Sequence, residues 1–313
     1  MTTPALGIGI DMGGTSIKMG VVRGTEIIAK AEPVDTQLYV TPEKTFEQVG
    51  ARIKALKEQY PAITAVGMGL PGFVDHRAGV ADSLTNVPGW FDVPVVQLLQ
   101  QMSGLPAAAD NDANCMAYAE WKLGAGQGME DVVCLTLGTG VGSGIIAGGR
   151  MLRGHCSAAG EIGQVSIDYR GREGHYHNLG ALEDYIGNRE LAADAVEAYA
   201  AAGIPKTAGD CTPLAMELAA KAGDPVAAAY WEELARKLAC CLVNCHYVLN
   251  PEAFIIGGGV AKAGELLFAP LRRFVQAQIY PKHYAKLKIL PAAFGNDAGM
   301  IGAARMAMDE TLS

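Results

Sequence analysis

Charge is scarce in this chain: of 313 residues only 19% are Asp, Glu, Lys or Arg, while half are hydrophobic. That balance excludes a disordered chain and predicts a large buried core, divided at this length between two compact lobes. The little charge there is leans one way. A formal net charge of −8 provides no basic face for a phosphate backbone, so nucleic acid is excluded as the main partner. Long apolar runs are missing as well, none approaching the ~18 uncharged residues of a membrane span. No basic leader precedes the first apolar strand, and a cytoplasmic location is expected. Cysteine is too sparse and unpaired for a disulfide framework, with seven residues, an odd number, and no CxxC. Cys240, Cys241 and Cys245 fall on an apolar helical stretch and read as buried free thiols; a metal site there with His246 lacks any partner motif. Low-complexity tracts and 20–50-residue repeats are absent. So is GxxxxGK[ST], which excludes a P-loop.

Glycine, by contrast, is plentiful, with 39 residues, and it gathers in turns. Gly9-Ile10-Asp11-Met12-Gly13-Gly14-Thr15-Ser16-Ile17-Lys18 brings an acidic residue into a glycine turn between two apolar runs. Glycine lets backbone N–H groups close on an anion. Thr15 and Ser16 add hydroxyl donors, and Asp11 can hold Mg²⁺ directly or through its water. The arrangement recurs at Leu135-Thr136-Leu137-Gly138-Thr139-Gly140-Val141-Gly142-Ser143-Gly144. Two strand–turn–strand units predict two related halves gripping one nucleotide, the pattern of an ATP-dependent kinase. A rival reading exists for the second turn. Gly142 to Ala147 satisfies GxGxxA, but a dinucleotide fingerprint needs a helix directly after the turn. Here Ile145-Ile146-Ala147-Gly148-Gly149 continues as a strand.

Hydrophobic spacing predicts strands over 6–34, a helix over 42–60, a buried strand over 65–70, a helix over 93–103 and a strand over 105–109. A helix over 113–124 follows. The second half predicts strands over 131–137 and 143–149, helices over 181–202, 212–222 and 225–249, a strand over 253–256 and a final amphipathic helix from 297. This alternation makes a mixed α/β sheet covered on both faces. The Gly124–Gly128 loop marks a hinge in a seam near 112–130.

Three further clusters carry chemistry. Asp110-Asn111-Asp112-Ala113-Asn114 stands where a strand end opens a helix, so a carboxylate there can take the proton of an attacking hydroxyl, or merely cap the helix. Ala159-Gly160-Glu161-Ile162-Gly163-Gln164, with Leu182-Glu183-Asp184, offers the acid and amide groups that suit a polyhydroxylated ligand. Its bland alternative is a loop acid facing water. Ile255 to Val260 holds a triple glycine that could press backbone against an adenosine, or could be an ordinary strand-to-helix turn.

Together these residues resemble the ROK family (repressor, open reading frame, kinase) of bacterial sugar kinases, within the actin-like ATPase superfamily, over essentially the whole chain. The resemblance implies a two-lobed α/β fold with mixed sheets and a cleft between lobes. The smaller lobe is expected at 1–115, with helix 297–313 packing back on it, and the larger at 116–296. The family's phosphate motifs match Asp11 to Lys18 and Leu135 to Gly144, which assigns Asp11, Gly13, Gly14, Thr15, Lys18, Thr136, Gly138, Thr139 and Gly140 to ATP. Its adenosine motif matches Gly257, Gly258 and Gly259. Asn111 to Asn114 matches the catalytic Asn-Asp-Ala-Asn, with Asp112 as general base and Asn111 on the sugar. Gly69-Leu70-Pro71-Gly72 and Asn86 to Trp90 resemble segments that border the sugar pocket, so Gly72 and Asn86 join Glu161, Gln164 and Glu183 as sugar ligands.

One departure is expected to matter. The family's His, which touches the sugar and binds a structural Zn²⁺, is Gln164 here, and His175-Tyr176-His177-Asn178-Leu179-Gly180-Ala181 stands where its three cysteines fall. Ala181 ligates nothing and a neutral amide is a poor zinc ligand, so no structural zinc is expected. His155, Cys156, His175 and His177 are the residues that could improvise a site. The implied reaction is ATP- and Mg²⁺-dependent phosphorylation of a hexose 6-hydroxyl, glucose foremost, by a homodimer. An N-acetylhexosamine kinase, a non-catalytic sugar-binding protein and a repressor are the alternatives, the last disfavoured by the acidic charge and by the ten residues before Asp11, where the family's repressors are expected to carry a helix-turn-helix domain.

Overall fold

Each glycine turn joins two antiparallel strands, and each pair founds its own sheet. The computed structural model describes residues 5–39, 41–84, 87 and 89–311. Two compact units result. The first takes in residues up to Gly128, Met151–Gly160 and those from Ala293 on; the second is Met129–Arg150 with Glu161–Ala292.

In the first unit β1 (Leu6–Met12) pairs with β2 (Ser16–Arg23), and β3 (Glu26–Lys30) and β4 (Val34–Asp35) both join β2. Helix α1 (Pro42–Gln59) starts at a Thr41 cap with proline in its first turn, and buries Phe46, Val49, Ile53 and Leu56 at helical spacing. It leads to β5 (Ile63–Leu70), parallel to β1. A small sheet of β6 (Gly72–Asp75), β7 (Val80–Leu84) and β8 (Phe91–Val93) follows. Then α2 (Val95–Ser103) leads to β9 (Ala107–Asn111), which passes without a linker into α3 (Asp112–Leu123). The strand order is β3-β2-β1-β5-β9. The C-terminal helix (Ala298–Glu310) lies directly on this sheet. A Cβ at Gly9 would stand 2.0 Å from Met300 O, and one at Gly67 1.8 Å from Ala303 O. Glycine on the strands is what admits the helix backbone.

The second unit repeats the plan. Strands β10 (Val132–Leu137), β11 (Val141–Ala147), β12 (Arg150–Met151), β13 (Ala253–Gly258) and β14 (Lys288–Pro291) form a sheet of order β12-β11-β10-β13-β14. Its helices are α4 (Glu183–Ile186), α5 (Asn188–Ala201), α6 (Pro213–Lys221), α7 (Pro225–Leu249), α8 (Glu265–Gln276) and α9 (Pro281–Tyr284). Helix α7 begins on an Asp224 cap, buries Trp231, Leu234, Leu238 and Leu242, and stops at left-handed Asn250 before Pro251. Cys241 and Cys245 are buried free thiols on it, and Cys240 is half-buried. Among the described residues no helix is long and apolar enough to cross a membrane.

Three expectations change. The first unit runs on to Gly128 rather than stopping at 115, because α3 packs along the C-terminal helix, where a Cβ at Gly302 would meet Cys115 O at 1.7 Å. The single helix expected over 181–202 breaks at an extended Gly187, between α4 and α5. The triple glycine is not wholly a turn: β13 extends through Gly258, paired with Leu137. β11 also remains a strand to Ala147, so the helix that a dinucleotide fingerprint requires is not there.

Candidate active site

In the first unit, register sets Asp11 across from Lys18, and Gly13 N donates to Ser16 O at 2.9 Å to close the turn. Thr36 holds the outer side, its hydroxyl on Gly14 O (2.9 Å) and its N–H on Thr15 O (3.2 Å). Gly14 and Thr15 are exposed at the tip. Asp11 is drawn inward. Burial raises its carboxyl above 3.8, against the lowering charge of Lys18, and Asp297 raises it further. Gly299, in the first turn of the C-terminal helix, makes room for it: a Cβ there would lie 3.0 Å from Asp11 Oδ1.

The β9–α3 junction settles the question of which residue caps the helix. Asn111 does so, its Oδ1 accepting from Ala113 N (2.9 Å) and Asn114 N (3.2 Å) while its Nδ2 donates to Gly72 O (3.0 Å). Asp112 therefore occupies the first helical turn, partly exposed, with Oδ1 accepting from Ala113 N at 2.8 Å. Behind it Asp110 is 1% exposed. Its carboxylate accepts from Asn111 N (2.8 Å), Asn114 Nδ2 (2.9 Å) and Arg153 Nε (2.8 Å), with His76 Nδ1 at 3.6 Å. His76 reaches Glu310 through Nε2 (2.9 Å). Burial, then the charges of Asp110, Asp112 and Asp11, push the Cys115 thiol well above its ordinary value. Register sets Asp11 beside Gly69 and Gly69 beside Asp110, and a Cβ at Gly69 would lie 3.3 Å from Cys115 Sγ and 3.4 Å from Asp112 Cα, so the three acids stand on neighbouring strand ends.

In the second unit the Gly138–Gly140 turn is closed by Gly138 N on Gly140 O (3.0 Å). It is pinned from outside by Glu183, whose Oε2 accepts from Val141 N at 2.8 Å, and by Asn188 N on Gly138 O at 2.9 Å. The break at Gly187 lies against this turn, and the close approach favours glycine there, since a Cβ at 187 would stand 2.9 Å from Thr139 O. Glu183 Oε1 also takes Gln164 Nε2 at 3.4 Å. Glu161 keeps solvent contact, yet desolvation by its loop and then the Glu183 charge raise its carboxyl above 4.5. Gln164 and Glu183 thus form a polar pair, and Gln164 N donates to Glu161 O (3.1 Å) in the short turn that carries both residues. Thr136 pairs with Gly257 and Leu137 with Gly258, which places the second glycine turn and the glycine run at the same end of adjacent strands. Gly258 has φ +87°, and a Cβ there would strike Leu137 O at 2.2 Å. Gly259 is open on that side, with no atom within 4 Å of such a Cβ.

Asn86 lies outside the described residues. His155 and Cys156 are exposed in the first unit, His175 and His177 in the second, and among the described residues no three His, Cys, Asp or Glu side chains are placed to hold a metal. Sequence reasoning missed Arg153, His76 and Glu310. No motif marks them, because their role arises only where Asp110 is buried.

The ROK family model matches residues 7–310. A glucokinase of Streptomyces coelicolor is 33% identical over 97% of this chain and 98% of its own length. One of Thermotoga maritima is 32% identical over 95% of each. A solved structure, a ROK family glucokinase from Streptomyces griseus in complex with glucose and AMPPNP, matches with a TM-score of 0.80 at 33% identity, covering 97% of this chain and 100% of that one. The two sheets described above are those of the actin-like ATPase fold. From its strand order to its glycine turns, this chain belongs to the ROK family.

Proposed function

We propose that this chain transfers the γ-phosphoryl group of ATP to the 6-hydroxyl of a hexose, with glucose as first substrate. The observation that carries the reading is the β9–α3 junction: Asn111 takes over the capping, and Asp112 is held at the helix start, at the strand ends that carry Asp11 and Asp110. Asp112 accepts the hydroxyl proton as the new O–P bond forms. Asn111, Gly72, Glu161, Gln164 and Glu183 orient the sugar, with Asn86 as a further ligand. The Gly13–Thr15 and Gly138–Gly140 turns, with Lys18 and Thr136, hold phosphate oxygens through backbone N–H and side-chain donors. Gly257–Gly259 receive the adenosine. Asp11 is the residue that would hold Mg²⁺, which supplies charge neutralisation on the β- and γ-phosphates. Gln164 keeps a donor and an acceptor for a hydroxyl but not the switchable charge of an imidazole.

A coupled ADP-release assay with Mg-ATP tests this across glucose, N-acetylglucosamine, N-acetylmannosamine, mannose, fructose and allose. Preference for glucose is the expected result. Preference for an acetylated sugar would keep the mechanism and replace the substrate, and no turnover with any of them would refute the reading.

A further inference from the structure

The residues of the 165–181 loop do not fit the zinc site of the family. Gln164 and Ala181 stand at two ligand positions, and His177 is exposed with Nδ1 on Glu173 Oε1 at 2.7 Å. Yet this loop is not loose. Ile167 N donates to Gly180 O (2.8 Å), Leu182 N to Val165 O (3.0 Å), and Gly180 N to Arg172 O (2.7 Å). Arg172 accepts the last of these and adds further contacts of its own. Its backbone N–H donates to Tyr185 Oη (3.0 Å), Nη1 to Asp184 O (2.9 Å) and Nη2 to Asp194 Oδ1, while the guanidinium stacks 4.7 Å from the centre of the Tyr185 ring. Asp194, on α5, is shared with Lys237 of α7 at 2.9 Å. A single side chain therefore ties the loop to α4, α5 and, through Asp194, α7. At the loop's other end Asn178 Nδ2 donates to Gln164 O at 3.0 Å. The residues so tethered flank Glu183 and include Gln164.

We propose that Arg172 is a positioning residue that clamps the 165–181 loop on α4 without a metal, and so pre-orders Gln164 and Glu183 for the sugar. This rests on the kinase reading above. The planar, permanently charged guanidinium suits the task because its fork and its stacking face are used at once, which a lysine cannot reproduce. Loosening the loop would make each binding event bear the ordering entropy of these side chains, so the loss should fall on sugar affinity rather than on the chemical step.

The test compares wild type with Arg172→Met, Arg172→Lys and Asp194→Asn in steady-state kinetics and in amide hydrogen exchange of 165–181. Arg172→Met is expected to raise the sugar KM by ~10-fold or more while the ATP KM and kcat stay near wild type. Arg172→Lys and Asp194→Asn should fall between. Exchange across 165–181 should quicken in Arg172→Met while β10 and β13 keep their protection. Wild type treated with 1,10-phenanthroline and returned to excess Mg²⁺ should keep its sugar KM. Unchanged exchange and sugar KM in Arg172→Met would overturn the clamp, as would a sugar affinity lost on chelation and restored by zinc. If wild type turned over no hexose, the kinase reading would fall, and the exchange data would still decide whether Arg172 holds the loop.

Discussion

At the scale of single residues, the decisive fact is a division of labour between neighbours. Asn111 and Asp112 are adjacent, and either could have capped α3; the cap falls to Asn111, whose amide also reaches Gly72 O. Asp112 is then held by the helix start without being its cap. Asp112→Asn preserves size and removes the basic carboxylate, so kcat should fall by ~10²- to 10⁴-fold. Sugar and ATP binding, followed by calorimetry, should be little changed, and near-normal turnover would remove Asp112 as the base. The cluster itself was legible as acids and amides where a strand end opens a helix, but its residue types left base and cap open, and the separate roles of Asn111 and Asp112 came from the family motif. Arg153 and His76 were not legible. Each is an ordinary residue in an unremarked loop until folding brings it to a carboxylate that is 1% exposed, where a charge needs partners.

At the scale of elements, the legible part is whatever local pattern dictates. Helix α1 and helix α7 stand where apolar spacing, caps and proline put them. The break between α4 and α5 was illegible, since no local pattern marks Gly187 as its place; Asn188 N donates to Gly138 O of the second glycine turn instead of continuing the helix ladder. Close approach at glycine fixes the C-terminal helix on β5. Gly67→Ala would set a methyl group 1.8 Å from Ala303 O, where backbone on both sides leaves little room to relax. Overpacking of this sort costs ~3 kcal/mol, or several degrees of thermal midpoint. Gly209→Ala, whose added methyl would find its nearest neighbour at an ordinary 3.7 Å, should shift stability by ~0.5 kcal/mol at most. Equal midpoints in the two variants would show that the sheet yields at Gly67, and the tight seating of the helix would have to be abandoned.

At the scale of the whole molecule, the first unit is assembled from three separate stretches of chain, a fact that composition and periodicity do not carry. The last stretch was anticipated as a helix returning to the first lobe. Its tie to the site was not: Glu310 holds His76, which leans on Ala109 O and Asp110, so the end of the chain bears on the β9–α3 junction. The ionisation of His76 makes that tie measurable. Burial pulls its pKa down most strongly and Arg153 also opposes the charge, yet the Glu310 hydrogen bond and the charges of Asp110 and Glu310 prevail and leave it above 6.5. A histidine whose folded value is raised contributes its full stabilisation below the unfolded value and loses it as pH rises through the folded one. Glu310→Gln should therefore destabilise the protein at about pH 5.5, where His76 is charged, by no more than ~1 kcal/mol for a pair that is partly exposed. At about pH 9 the variant and wild type should melt together. Melting curves at the two pH values check this directly: a gap that is the same at both would mean that the tie does not depend on the charge of His76, and that Glu310 acts on the junction by packing or by an uncharged hydrogen bond.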